Sequence, residues 1–94
     1  MFEIRRGNDG NVRLIGRLDA SAAEQALSEL ARIEGPLVAD CAELDYISSA
    51  GLGVFMQTFK RLRTLGHGLR LINVPPRIRN VFRYAGLDQV FQME

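Results

Sequence analysis

Strand-like and helix-like hydrophobic patterns alternate along the whole chain, and this order constrains the fold more than any other feature. Phe2–Arg6 and Asn11–Leu18 alternate apolar and polar side chains on either side of the turn formers Gly7–Gly10, which predicts a β-hairpin. The later elements are predicted as a helix after Ser21, a strand at Leu37–Cys41, a helix from about Ala50 to Leu65, a strand at Leu69–Val74, a helix from Pro75 and a short strand within Val90–Met93. This order predicts an α/β fold: a small mixed, mostly parallel sheet with an N-terminal β-hairpin and about three helices.

The predicted helix boundaries rest on capping residues. Ser21 and Glu24 fit a capping box, with Asp19 as an alternative cap one turn earlier. Ser49 stands where a strand gives way to a helix, and its oxygen is predicted to accept an N–H group left unbonded at the helix start. Gly86 is predicted as the C-terminal cap of the last helix.

The composition is that of one globular domain, predicted to span residues 1–94. A hydrophobic content of 47% argues against disorder. Cys41 is the single cysteine, so no internal disulfide is possible, and its apolar surroundings predict a buried side chain. The N-terminus lacks the apolar segment of a signal peptide, and no apolar run approaches the about 20 residues of a membrane-spanning helix. We therefore expect a cytoplasmic protein without membrane insertion.

Charge is divided unevenly between the two halves of the sequence. Residues 1–50 contain five Lys/Arg and nine Asp/Glu, whereas residues 51–94 contain seven and two. The basic residues of the second half recur along predicted helices without interleaved aromatic side chains. This pattern favours solvated helix faces and disfavours direct nucleic-acid binding, while an acidic protein partner remains open.

The segment Tyr46–Gly53 places two serines and two glycines at a strand-to-helix junction, which is compatible with several kinds of site. It lacks the lysine and the spacing of a P-loop, and Met56 stands where the dinucleotide-binding pattern has its third glycine. Ile47 stands where a hydrolase nucleophile elbow needs glycine. His67 is the only histidine, which is too few for a metal site. We therefore expect neither enzyme activity nor a cofactor.

Phosphorylation of Ser49 is a further possibility at this junction. A phosphate at a helix N-terminus interacts favourably with the helix dipole, so the modification does not need to unfold the domain. It would add nearly two negative charges to the surface, and a partner bound there would be lost through repulsion. Gly51 and Gly53 would let the backbone of such a partner approach closely.

Three segments of the sequence resemble the STAS domain of bacterial anti-sigma factor antagonists. Tyr46–Gly53 is similar to the family's signature, Gly16–Asp19 to its G-x-L-D segment, and Asn73–Asp88 to its final strand, helix and turn. Because the three segments occur in the same order and spacing, the resemblance covers nearly the whole chain. It implies parallel βα units around a small sheet and a role in partner switching.

The resemblance also implies which proteins and residues take part in the switch. In such systems the antagonist binds an anti-sigma factor that is also a serine kinase, the kinase phosphorylates the serine before the second helix, and a serine phosphatase restores binding. Carried over to this sequence, the phosphate acceptor is Ser49, with Ser48 as its rival. The implied partner-binding residues are Asp19, Ser21, Ser48, Ser49, Gly51, Leu52 and Gly53.

The sequence departs from sporulation-type relatives on both sides of the acceptor. Those relatives carry an aspartate before it, where this chain has Ser48, and a second serine after it, where this chain has Ala50. Two other functions stay open: a regulatory subunit of a membrane transport complex, which needs no phosphorylation, and a small-molecule sensor. The absence of tryptophan and the few other aromatic residues disfavour a ligand pocket.

Overall fold

In the computed structural model, which describes residues 1–7 and 9–94, five strands form one sheet and three helices connect the parallel strands. The elements are β1 (Phe2–Arg6), β2 (Val12–Leu18), α1 (Ala20–Leu30), β3 (Leu37–Ile47), α2 (Ser49–Thr64), β4 (Leu69–Ile72), α3 (Pro76–Tyr84) and β5 (Gln92–Met93). The strand order is β1-β2-β3-β4-β5, with β1 antiparallel to β2 and the other neighbours parallel. The predicted fold class is confirmed. The predicted turn at residues 7–10 includes Asn8, which lies outside the described residues.

The helices cover one face of the sheet. Each parallel connection moves the chain one strand in the same direction, so right-handed crossovers place all three helices on the same side. Aromatic side chains join α2 and α3 within this layer. The ring centroids of Phe55 and Phe82 lie 5.6 Å apart, and those of Phe82 and Phe91 lie 5.5 Å apart. The hydrophobic core therefore lies between the sheet and the helices.

Strand β3 is longer than the sequence predicted, because two irregularities hide its alternation. Its pairing with β2 contains two register shifts, and each shift inserts an extra residue into β3. The buried positions after Cys41 are therefore three residues apart, at Leu44 and Ile47, instead of two. The strand that was expected to end at Cys41 continues to Ile47, where its end adjoins the serines.

The last helix, α3, has the termini that the sequence predicted. Pro75 is its N-cap and Pro76 its first residue, where the missing N–H group of proline costs no hydrogen bond. Gly86 follows the other end with a φ of 75°, the left-handed conformation that favours glycine after a helix. No helix in residues 1–7 and 9–94 has both the length and the apolar character that crossing a bilayer requires.

Cys41 is fully buried in β3, as its apolar surroundings predicted. Burial is the main cause that raises the pKa of its thiol to about 12, and the nearby charge of Asp40 acts in the same direction. The thiol is therefore protonated at neutral pH and has the character of a small apolar side chain.

Candidate functional site

Strands β2 and β3 end side by side, and this brings the starts of two helices together. Leu18 is paired with Ile47 at the end of the ladder, and the backbone N–H of Ser48 donates to the carbonyl oxygen of Leu18 at 3.0 Å. Helices α1 and α2 begin directly after these residues. The start of α1 at Asp19–Ser21 and the Ser48–Ser49 junction therefore lie next to each other, at the carboxyl ends of two parallel strands, where α/β proteins commonly place their sites.

Ser48, rather than Ser49, is the N-cap of α2, so the predicted cap was wrong by one residue. The backbone of Ser48 is extended, and its hydroxyl oxygen accepts the N–H of Gly51 at 3.3 Å. Ser49 is the first helical residue and is exposed. Within the described part of the chain, its hydroxyl makes no hydrogen bond. The two serines therefore differ: one hydroxyl holds the helix start, and the other faces solvent.

Asp19 is the N-cap of α1, so the capping box predicted at Ser21 is wrong and its alternative is correct. The Oδ1 atom of Asp19 accepts the N–H groups of Ser21 and Ala22 at 3.1 and 3.2 Å, and the Ser21 hydroxyl at 2.7 Å. The hydrogen bond from that hydroxyl is the main cause that lowers the pKa of the Asp19 carboxyl. The stability that this lowered pKa contributes is present above the unfolded pKa and is lost as pH falls through the folded pKa.

The two glycines of the junction have different surroundings. A Cβ atom at Gly51 would lie 2.6 Å from the Leu18 carbonyl oxygen and 2.7 Å from Cγ1 of Ile47. The space beside Gly51 is therefore filled by Leu18 and Ile47 of this chain. The expectation that Gly51 lets a partner backbone approach was wrong. A Cβ atom at Gly53 would meet nothing within 4 Å, so this glycine borders open space. Leu52 is only 8% exposed and belongs to the core.

Replacement of Gly51 by alanine is expected to destabilise the fold by about 1–3 kcal/mol, because the added methyl group would clash with backbone that cannot easily move. Gly53→Ala is the matched control: it gains helix propensity without a clash and is expected to stabilise by about 0.5–1 kcal/mol. Urea denaturation of both variants measures the two free energies of unfolding. A Gly51→Ala variant as stable as wild type would contradict the packing of α2 on the end of β2.

An arginine and a tyrosine form a pair near the serines, on the face of the sheet that the helices do not cover. Arg17 is paired in register with Tyr46, and its guanidinium carbon lies 4.2 Å from the centroid of the tyrosine ring. The Arg17 Nε atom is 4.0 Å from Oδ2 of Asp19. Sequence reasoning gave neither residue a role, because their proximity depends on the register between β2 and β3. Once the register is known, the cross-strand pairing of an arginine with an aromatic residue indicates a favourable contact.

The site does not assemble the groups of a hydrolase or a metal centre. His67 follows the C-terminal end of α2, whereas Ser49 is at its N-terminal end. The helix between them separates the two side chains by roughly 25 Å, at about 1.5 Å per residue. Among residues 1–7 and 9–94, no group of three or more histidine, cysteine, aspartate or glutamate side chains is placed to hold a metal ion.

Known proteins with similar sequences are antagonists of anti-sigma factors. The anti-sigma-B factor antagonist of Bacillus subtilis is 32% identical over 89 residues, which cover 92% of this chain and 82% of that protein. BtrV of Bordetella bronchiseptica, a candidate anti-sigma factor antagonist, is 39% identical over 82 residues, which cover 83% of this chain and 71% of BtrV. Such relatives are regulatory proteins rather than enzymes.

Solved structures share the fold at lower sequence identity. An anti-sigma factor antagonist from Mycobacterium paratuberculosis superposes with a TM-score of 0.81 at 19% identity, covering 99% of this chain and 83% of the other. Phosphorylated SpoIIAA, a Bacillus cell fate determinant, superposes with a TM-score of 0.72 at 21% identity, covering 100% and 91%. The family model described as the STAS domain matches residues 4–94. With that match and with relatives above 30% identity along most of its length, the chain belongs to the STAS domain family.

Proposed function

We propose that this protein is an anti-sigma factor antagonist of the partner-switching kind, and that phosphorylation of Ser49 ends its binding to the anti-sigma factor. The exposed Ser49 hydroxyl, beside the loop that contains Asp19, is the observation that carries the proposal. The names of the sequence relatives support the same function. The protein acts by binding, the anti-sigma factor supplies the kinase activity, and a serine phosphatase reverses the modification.

Ser49 is the acceptor because its hydroxyl is available to a kinase. The Ser48 side chain is only partly exposed and caps α2 through the N–H of Gly51. A phosphate on Ser48 would have to replace this cap, whereas a phosphate on Ser49 leaves it in place. At the first position of the helix, the added negative charge is also close to the positive end of the helix dipole. Phosphorylation at Ser49 is therefore compatible with an intact fold.

The loss of binding follows from charge at the surface. Phosphorylation adds between one and two negative charges at Ser49, next to the ionised carboxylate of Asp19. A partner surface that fits the neutral hydroxyl would meet this concentrated charge and would have to remove its water shell. The phosphate therefore opposes binding without a new fold or a new domain arrangement.

The proposal is tested by measuring the binding affinity of this chain for an anti-sigma factor kinase from the same genome. The kinase used is the one that phosphorylates the wild-type chain. Ser49→Asp is expected to weaken binding by about 2 kcal/mol, or roughly 30-fold, because it places a negative charge at the contact. Ser28→Asp adds the same charge at an exposed position far along α1 and is expected to bind like wild type. Equal affinity of the Ser49→Asp and wild-type chains would count against the switch.

A further inference from the structure

Arg17 is held in position before any partner arrives. Its guanidinium group stacks on the ring of Tyr46 at 4.2 Å, and Asp19 lies 4.0 Å from its Nε atom. Both contacts restrict a side chain that otherwise has many rotamers. Less conformational entropy is therefore lost when this arginine binds a second group, which is the advantage of a preorganised contact.

Arg17 also keeps its hydrogen-bonding capacity, unlike three other arginines of the sheet. Arg5, Arg13 and Arg70 each donate directly to a glutamate, namely Glu3, Glu43 and Glu94. Arg17 donates no side-chain hydrogen bond to any described residue. Asp19 accepts its hydrogen bonds at Oδ1, and its Oδ2 atom lies 4.0 Å from Nε of Arg17, too far for a hydrogen bond. The five N–H donors of Arg17 are thus available in the fork arrangement that fits a carboxylate.

The stacked pair borders the proposed switch and is exposed. The side chain of Arg17 is 54% exposed, and Tyr46 is 40% exposed. Tyr46 precedes Ser49 by three residues, near the C-terminal end of β3. Arginine and tyrosine are among the residues that contribute most to protein–protein binding, particularly where neighbouring contacts exclude water. We expect a partner that covers Ser49 to extend past the end of β3 to this pair on the uncovered face of the sheet.

The charges around the end of β3 are balanced, so the free donors of Arg17 determine which group of the partner it binds. Arg77 lies on the other side of β3, where its Nη2 atom donates to the carbonyl oxygen of Asp45 at 3.0 Å. Arg17 and Arg77 thus lie on opposite sides of the C-terminal end of β3. Two carboxylates are present, Asp19 within its cap and Asp45 exposed at the strand end. The Oδ2 atom of Asp19 lies 4.0 Å from Nε of Arg17, beyond hydrogen-bond distance, so the donors of Arg17 remain available to a group from outside the chain.

We infer that the stacked pair of Arg17 and Tyr46 is an anchor of the partner interface, and that Arg17 binds an aspartate or glutamate side chain of the anti-sigma factor. The inference rests on the proposed function and deepens it, because it states which chemistry the partner presents beside Ser49. The tyrosine ring sets the direction of the guanidinium group, and the partner's carboxylate accepts two parallel N–H bonds from it.

Titrations with the same anti-sigma factor kinase test the inference. Arg17→Glu is expected to weaken binding at least about 30-fold, as for a central interface residue, because it sets two carboxylates against each other. Arg17→Lys keeps the charge but loses the planar fork and the stacking, and is expected to lose about 5- to 10-fold. Arg6→Glu is the matched control: Arg6 is exposed at the end of β1, where it pairs with Val12 at the opposite end of β2 from Arg17, and its reversal is expected to have no effect.

A rescue experiment identifies the chemistry of the partner. Each surface aspartate and glutamate of the kinase is changed to lysine in turn, and one such variant is expected to recover about 10-fold of the affinity of Arg17→Glu. If Arg17→Glu binds like wild type, or if no lysine variant restores its binding, the inference is wrong while the proposed function stands. If the wild-type chain binds no anti-sigma factor, the proposed function itself fails.

Discussion

Alanine at Ser49 is expected to abolish phosphate transfer from the anti-sigma factor kinase, whereas alanine at Ser48 is expected to leave transfer in place. The Ser49 hydroxyl is exposed at the first residue of α2, and the Ser48 hydroxyl is engaged as the cap. Ser48→Ala is expected to cost about 1 kcal/mol of stability, because the N–H of Gly51 loses its acceptor. Intact mass spectrometry after incubation with ATP measures the transfer, and urea denaturation measures the stability.

The two variants form a reciprocal control. Ser49→Ala is expected to unfold at nearly the wild-type urea concentration, since alanine is a good helix former and no cap is lost. Ser48→Ala is expected to be less stable yet phosphorylated. Transfer that persists in Ser49→Ala and disappears in Ser48→Ala would assign the acceptor to Ser48 and would overturn the site. A double variant that still accepts phosphate would place the acceptor elsewhere.

Removal of the Phe82 ring is expected to destabilise the fold by about 3–5 kcal/mol, more than any other substitution considered for this chain. The side chain has no exposed surface, and its ring lies 5.6 Å from that of Phe55 and 5.5 Å from that of Phe91. Phe82→Ala would leave a cavity where α2, α3 and the segment before β5 meet. Chemical denaturation of the variant measures the loss of unfolding free energy.

Tyr84→Ala provides the comparison on the same helix. Tyr84 is 87% exposed, so its truncation removes little buried surface and is expected to change stability by less than about 0.5 kcal/mol. Small domains have total stabilities of about 5–15 kcal/mol, so the loss expected for Phe82→Ala is a large fraction of the total. A loss near 1 kcal/mol for Phe82→Ala would instead mean that Phe55 and Phe91 repack to fill the space.

The fold was predictable from the sequence because its local signals agree. Turn residues, caps and hydrophobic periods place each element in the correct order, and short parallel connections leave few arrangements for them. The length of β3 was not predictable, because its bulges break the alternation on which strand prediction depends. The same irregularity separates the buried residues Leu44 and Ile47 by three positions, a spacing typical of a helix. The two-residue alternation that identifies a strand is therefore missing from this part of β3.

The candidate site was predictable in its position but not in its details. The pattern of two serines and two glycines, together with the family resemblance, indicated the junction before α2. The roles within it depend on single residues: a helix that starts one residue earlier transfers the cap from Ser49 to Ser48. Arg17 and Tyr46 are 29 positions apart in the sequence, and only the register of β2 against β3 brings them into contact.

The contacts of the Leu18 carbonyl group determine how the proposed switch behaves over time. This oxygen accepts the N–H of Ser48 and lies against Gly51, so the first turn of α2 is fastened to the end of β2. We therefore expect a phosphate on Ser49 to leave the first turn of α2 in place, rather than to shift the helix. The proposed signal would then be stored in the phosphoester bond alone, and the phosphatase rate would set how long it lasts once the kinase stops.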